Sequence, residues 1–132
     1  MKLTDDIKQK IQEEFHFWEN DLWAGKTKEE RQKLGQFATP PPLTIKMLEK
    51  FDSLDGNVLD PCLGAGNLIA AAIIAGADPS KCYGIELDPV VLEIAKRRLA
   101  KLGVPPQNLR LGDALDPKSY EFSEDPTTAC CI

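Results

Sequence analysis

Three acidic residues each follow a short apolar run, and their spacing suits them to hold a nucleoside. The runs are Asn57-Val-Leu-Asp60, Cys82-Tyr-Gly-Ile-Glu86 and Asn108-Leu-Arg-Leu111, the last continuing into Gly112-Asp113. Asp60 opens the loop Asp60-Pro-Cys-Leu-Gly-Ala-Gly66, in which Gly64 and Gly66 give the backbone conformational freedom and let a ligand approach the main chain. Glu86 stands 20 residues beyond Gly66. A carboxylate at that distance from a glycine loop can accept both hydroxyls of a ribose. Asp113, after the third run, is placed to accept from an exocyclic amine such as that of adenine. One G-x-G alone is equally the mark of a tight turn with close helix packing. Three carboxylates, each at the end of its own run, are a more specific pattern.

The elements needed to position them are legible from periodicity. The three runs read as strands, and the segments between them read as helices. One is Ala/Ile-rich from Leu68 to Ala75 with Gly76 as its stop. The other is capped by Asp88-Pro89, carries Leu92, Ala95, Leu99 and Leu102 on one side, and ends at Gly103. Strand, helix, strand, helix, strand implies parallel pairing with right-handed crossovers, half of a doubly wound sheet. The fold class is α/β. Ligands of such sheets bind beyond the carboxyl ends of the strands, where all three acidic residues fall.

Ahead of the first strand lies a helical leader. Thr4, Asp5 and Asp6 form a cap with an acidic first turn, and Ile7, Ile11, Phe15, Trp18 and Leu22 make one apolar stripe that Gly25 closes. Phe15, Phe17, Trp18 and Trp23 are read as packing the leader against the domain or a partner. Thr27-x-x-Glu30 is a capping box for a short helix to about Leu34. Pro40, Pro41 and Pro42 can open a helix, whose buried face is expected at Leu43, Met47, Leu48 and Phe51. The organisation is a leader at 1–34 and one domain at 35–132, with Thr127-Thr-Ala-Cys-Cys-Ile132 as the start of a fourth strand.

Composition narrows the function classes. Lys plus Arg total 16 against 21 Asp plus Glu, a net charge of -5, which disfavours unaided binding of nucleic acid. The four cysteines, Cys62, Cys82, Cys130 and Cys131, show neither a C-x-x-C spacing nor a disulfide framework, and the adjacent pair reads as small buried hydrophobes. The sole histidine, His16, has no ligand cluster near it, so no metal site is expected. With no basic-then-apolar leader and no long apolar stretch, the expected compartment is the cytoplasm, with no membrane partner. A nicotinamide dinucleotide fits less well, because the third glycine of that fingerprint is replaced by Ile69. A P-loop is excluded, since no Gly-Lys-Ser/Thr follows the glycines.

Gly35-Gln-Phe-Ala-Thr-Pro40, Leu59-Asp-Pro-Cys-Leu-Gly-Ala-Gly-Asn-Leu68, Gly84-Ile-Glu-Leu-Asp88 and Gly112-Asp-Ala-Leu115 occur in that order. Together they resemble the cofactor motifs of S-adenosylmethionine-dependent, adenine-specific DNA methyltransferases of restriction-modification systems, over roughly residues 35 to 115. The resemblance implies a Rossmann-like class I methyltransferase half-fold of three parallel strands with flanking helices, with S-adenosyl-L-methionine as cofactor. It implies that Phe37, Thr39 and Pro40 border the methionine end, with Thr39 reaching its carboxylate. Asp60 would meet the amino group, with Pro61, Gly64 and Gly66 bringing the main chain alongside. Glu86 would hold the ribose hydroxyls beside Leu87, and Asp113 would accept from the adenine amine, flanked by Ala114 and Leu115.

The sequence also departs from that family. The Asn/Asp-Pro-Pro-aromatic motif that holds the target amine and stacks on the flipped base does not occur in the 132 residues. None of the five Asp-Pro pairs is followed by a second proline, and the chain ends about where that motif is expected, a pattern of truncation. No catalytic residue is therefore assigned. The expectation is a cofactor-binding portion inactive on its own, meeting DNA only through other regions or a partner. The first strand would keep an open edge unless the tail covers it, and a protein partner or homodimer could complete the sheet. The alternatives are a non-catalytic module that pairs with or blocks a complete enzyme, and a methyltransferase of the same fold acting on RNA or protein.

Overall fold

The computed structural model describes residues 1–23, 27–35, 39–122 and 130–131; the side chains at 21–23, 31, 33–35 and 130–131 also lie outside the described set. Phe37 and Gly25 are thus outside the described residues, as are the side chains of Leu22, Trp23, Cys130 and Cys131.

Helices α1 (Asp5–Trp23), α2 (Lys28–Gly35) and α3 (Pro41–Glu49) precede the sheet. Strand β1 (Val58–Asp60), helix α4 (Asn67–Ile74), strand β2 (Cys82–Glu86), helix α5 (Pro89–Ala100) and strand β3 (Leu109–Leu111) follow, with a two-residue β4 (Cys130–Cys131). The sheet order is β3-β2-β1-β4, parallel throughout. Val58 pairs in register with both Cys82 and Cys130, so the tail covers the β1 edge and the strand order reverses between β1 and β4. This is a Rossmann-like half-fold, with the reversal point beside the loop that follows β1.

Local chemistry explains the boundaries. The Asp88 carboxylate accepts from the amides of Val90 and Val91, and Pro89 occupies the first turn of α5, where a missing N–H costs nothing. Asp78 and Asp116 cap the short 3-10 turns Pro79–Lys81 and Pro117–Tyr120 in the same way. Thr27 Oγ1 accepts from the amide of Glu30, as the capping box requires. Strands β1 and β2 are buried at every position. Val58, Cys82 and Leu109 face the helix-packed core with Leu48, Ile69, Ala95 and Leu99, while Tyr83 on the opposite face meets Phe122 edge-on.

The leader is part of that core. Leu3 and Ile11 belong to the main cluster, and Trp18 joins a smaller one with Ala65, Val91 and Ile94. Ile7 and Phe15 are half-buried, whereas Phe17 is exposed.

The face of α3 differs from expectation. Leu43 is 50% exposed, and the buried residues are Pro41, Thr44, Ile45 and Leu48. Thr44 sits on the inner face because its hydroxyl donates back to the Pro40 carbonyl at 3.1 Å, which satisfies the group without water. Counting Thr44 as polar rotates the stripe by one position and misplaces Leu43.

Candidate functional site

An open cleft of about 690 Å³ lies at the carboxyl ends of the strands, within the range usual for small-molecule sites. Four segments line it. Thr39, Pro40 and Leu43 come from the start of α3, and Pro61, Cys62 and Gly64 from the loop after β1. Ile85, Glu86 and Leu87 come from the end of β2, and Gly112, Asp113, Ala114 and Leu115 from the end of β3. The cleft therefore gathers nine of the twelve residues picked from the sequence; Asp60, Gly66 and Phe37 are the other three. Cys62, Ile85 and Gly112 also line it, each one position from a chosen residue, while Leu43 was hidden by the misplaced helix face.

Glu86 organises the floor. Its Oε1 accepts from the Gly64 amide at 2.9 Å and its Oε2 from the Asp88 amide at 2.8 Å. One carboxylate thus clamps the glycine loop to the start of α5. Each oxygen retains acceptor capacity beyond these bonds, since a carboxylate offers about four lone-pair sites. The Gly112 amide donates to the Glu86 carbonyl at 2.9 Å, which fixes the β3 end against the β2 end. Asp113 is exposed and its Oδ1 accepts from the Leu115 amide at 2.9 Å. Tyr120 donates its hydroxyl proton to the Ala114 carbonyl at 2.8 Å, steadying the same loop.

Asp60 has an unusual environment. It is 1% exposed; Oδ1 accepts from the Cys62 amide at 3.0 Å, while Oδ2 is buried without a partner. Burial raises its pKa to about 6, with the nearby Glu86 charge adding to the rise and the Cys62 amide opposing it. A buried, unpartnered carboxylate oxygen costs free energy unless a donor, best a cationic one, meets it. The next two residues, Pro61 and Cys62, line the cleft, so Asp60 lies directly behind its wall. Partial desolvation, with the Asp60 and Glu86 charges adding to it, pushes the pKa of the otherwise exposed Cys62 thiol up.

The two glycines of the loop serve different ends. Gly64, with φ of 57°, lines the cleft and donates its amide to Glu86. Gly66, with φ of 89°, is the N-cap of α4, and a Cβ there would stand 3.0 Å from Leu99 of α5. Its position answers to a left-handed turn and close helix packing.

Comparison with known proteins gives matches of limited length. The chain is 33% identical over 97 residues to the type II methyltransferase M.VspI of a Vibrio species, and 34% identical over 89 residues to the type II methyltransferase M.NspV of a Nostoc species. It is 39% identical over 80 residues to the protein-L-isoaspartate O-methyltransferase of Pyrococcus horikoshii. The matches cover 71%, 64% and 60% of this chain, but only 24%, 18% and 36% of the respective relatives. No family model matches, and no solved structure matches. Taken with the half-fold, these matches relate the chain, over about two thirds of its length, to the type II DNA methyltransferase family.

Proposed function

We propose that the cleft binds S-adenosyl-L-methionine and that the chain is the cofactor-binding portion of an adenine-specific DNA methyltransferase. The observation that carries this reading is the convergence of four segments on one cleft beside a buried carboxylate oxygen that lacks a partner. Bound there, the cofactor supplies an electrophilic methyl group on a sulfonium centre. The chain's own residues bind and orient. Asp60 meets the ammonium group, directly or through water, and Thr39 turns toward the carboxylate. Glu86 accepts from the ribose hydroxyls with the lone pairs its two backbone bonds leave. Leu87, Leu115 and Leu43, all exposed around the cleft, offer apolar cover to the adenine ring, and Asp113 accepts from its amine. The methyl acceptor is the adenine amino nitrogen, and the reaction needs positioning rather than a covalent intermediate. The residues that would hold the target base are not among the 132, so this chain alone is expected to bind cofactor without turnover.

Calorimetric titration with S-adenosylmethionine, S-adenosylhomocysteine and NAD tests the reading. Saturable binding of the first two in the micromolar range, roughly -8 kcal/mol, with none for NAD, is the expected outcome. Asp60→Ala and Glu86→Ala should each abolish it, the second also loosening the loop that Glu86 clamps. A folded chain that binds neither methionine derivative overturns the proposal.

The match to a protein-L-isoaspartate O-methyltransferase favours one second reading, a methyltransferase acting on protein. Both readings share the cofactor site. They part on the acceptor, so methyl transfer by the full-length protein to adenine-containing duplex DNA or to an isoaspartyl peptide separates them.

A further inference from the structure

Arg98 is the largest fully buried side chain among the described residues, 2% exposed on α5, and it does not line the cleft. Its guanidinium joins four parts of the molecule. Nε donates to Glu14 Oε1 of α1 at 3.5 Å, Nη1 donates to the Ala65 carbonyl in the glycine loop at 3.2 Å, and Nη1 also donates to Asn67 Oδ1 at the start of α4. The guanidinium carbon stands 5.6 Å from the Trp18 ring of α1. Burial pulls the Arg98 pKa down to about 10, with Glu14 opposing, so it remains a cation at neutral pH.

The chain of bonds continues beyond Arg98. Asn67 Nδ2 donates to the Thr39 carbonyl at 2.9 Å, and the Thr44 hydroxyl donates to Pro40. Thr39 and Pro40 form one wall of the cleft, and the glycine loop forms another. A planar cation with several donors in fixed geometry can hold both walls at one separation, which a single flexible contact cannot.

We propose that Arg98 and Asn67 are positioning residues: through them the leader helix α1 sets the spacing between the Thr39-Pro40 wall and the glycine loop, and with it the affinity of the cleft for its cofactor. The inference rests on the reading of the cleft as a cofactor site, but the coupling between α1 and the cleft wall can be measured without any cofactor.

Asn67→Asp is the discriminating variant. It keeps an acceptor for Arg98, now a charged one that holds the guanidinium more strongly, but replaces the donor facing the Thr39 carbonyl with an acceptor, so the link it breaks is the last one. Amide hydrogen exchange on the cofactor-free protein should quicken at Leu43 and Thr44, whose amides bond to the Pro40 carbonyl, while denaturant stability stays near wild type. Glu14→Gln, a charge loss at the other end, should quicken the same two amides by a smaller factor. Affinity for S-adenosylmethionine should fall about tenfold in Asn67→Asp, the equivalent of one lost hydrogen bond. Asn67→Gln, which keeps both the donor and the acceptor, should exchange more slowly at Leu43 and Thr44 than Asn67→Asp does. Unchanged exchange at Leu43 and Thr44 in a folded Asn67→Asp protein overturns the positioning role. Altered exchange in a protein whose wild type binds no methionine derivative upholds the positioning of the wall and defeats the cofactor reading instead.

Discussion

At the scale of single residues, the buried carboxylate of Asp60 has a consequence for stability. Its pKa stands near 6 in the folded chain against 3.8 for the unperturbed group, so the folded state holds the proton more tightly than the unfolded state does. The associated stability is fully present below about pH 4 and is lost as pH rises through 6. Above that, the shift of about two units corresponds to roughly 3 kcal/mol of destabilisation. Asp60→Asn removes the charge and keeps the acceptor for the Cys62 amide. Denaturant unfolding should find the variant about 1–3 kcal/mol more stable than wild type at pH 8, the gain being reduced because the amide must still bury an NH2 group with two unpaired donors. The gain should be gone at pH 4, where the wild-type carboxyl is protonated and the variant is expected to match wild type or fall slightly below it. A variant less stable than wild type at pH 8 would mean that Oδ2 is met by a donor in solution. The same substitution should weaken cofactor binding, since a neutral amide gives an ammonium group no counter-charge. Stability gained where binding is lost is the usual mark of a functional site.

At the scale of elements, the glycine loop is held in place as much by its neighbours as by its own sequence. Gly66→Ala sets a Cβ at φ of 89° and 3.0 Å from Leu99. The left-handed conformation alone costs a residue with a side chain about 1–2 kcal/mol, and the contact adds to it. A loss of about 2 kcal/mol in unfolding free energy is expected, and a neutral result would mean that the loop can relax away from α5. Much of this level was legible beforehand. The Asp88-Pro89 cap, the three strands and their parallel pairing follow from patterns that the packing does not override. Even the fourth strand was signalled by its apolar run. What could not be read were features made by contacts distant in sequence. Thr44 is inside only because Pro40 accepts its proton, and this turned Leu43 outward to the cleft. Arg98 reads from sequence as one more charge in the last turn of a helix, the usual place for a solvated cation. Only the fold brings Glu14, Ala65 and Asn67 around it. Glu86 is legible as a ligand group, while its clamp on the Gly64 and Asp88 amides arises only once the fold brings the three together.

At the scale of the whole molecule, charge and topology bear on how the chain would meet a polynucleotide. The sequence carries 16 basic and 21 acidic residues, and one of the basic ones, Arg98, is buried and paired with Glu14. Non-specific affinity for duplex DNA comes mainly from cations that displace condensed counterions, and log affinity falls with log salt in proportion to the phosphates neutralised. Net charge of -5 leaves long-range repulsion where such a surface needs attraction. If the proposed function holds, DNA is therefore gripped by other regions of a longer protein or by a partner, and this chain contributes the cofactor cleft alone. In fluorescence anisotropy at about 150 mM salt, the chain should not bind a labelled duplex at micromolar protein, with or without S-adenosylhomocysteine. Titration at lower salt should bring at most weak binding with a shallow salt slope. A saturable isotherm whose affinity falls steeply with salt would show several phosphate contacts on this chain. The division of labour between cleft and DNA grip would then be wrong, while the cofactor site itself would stand.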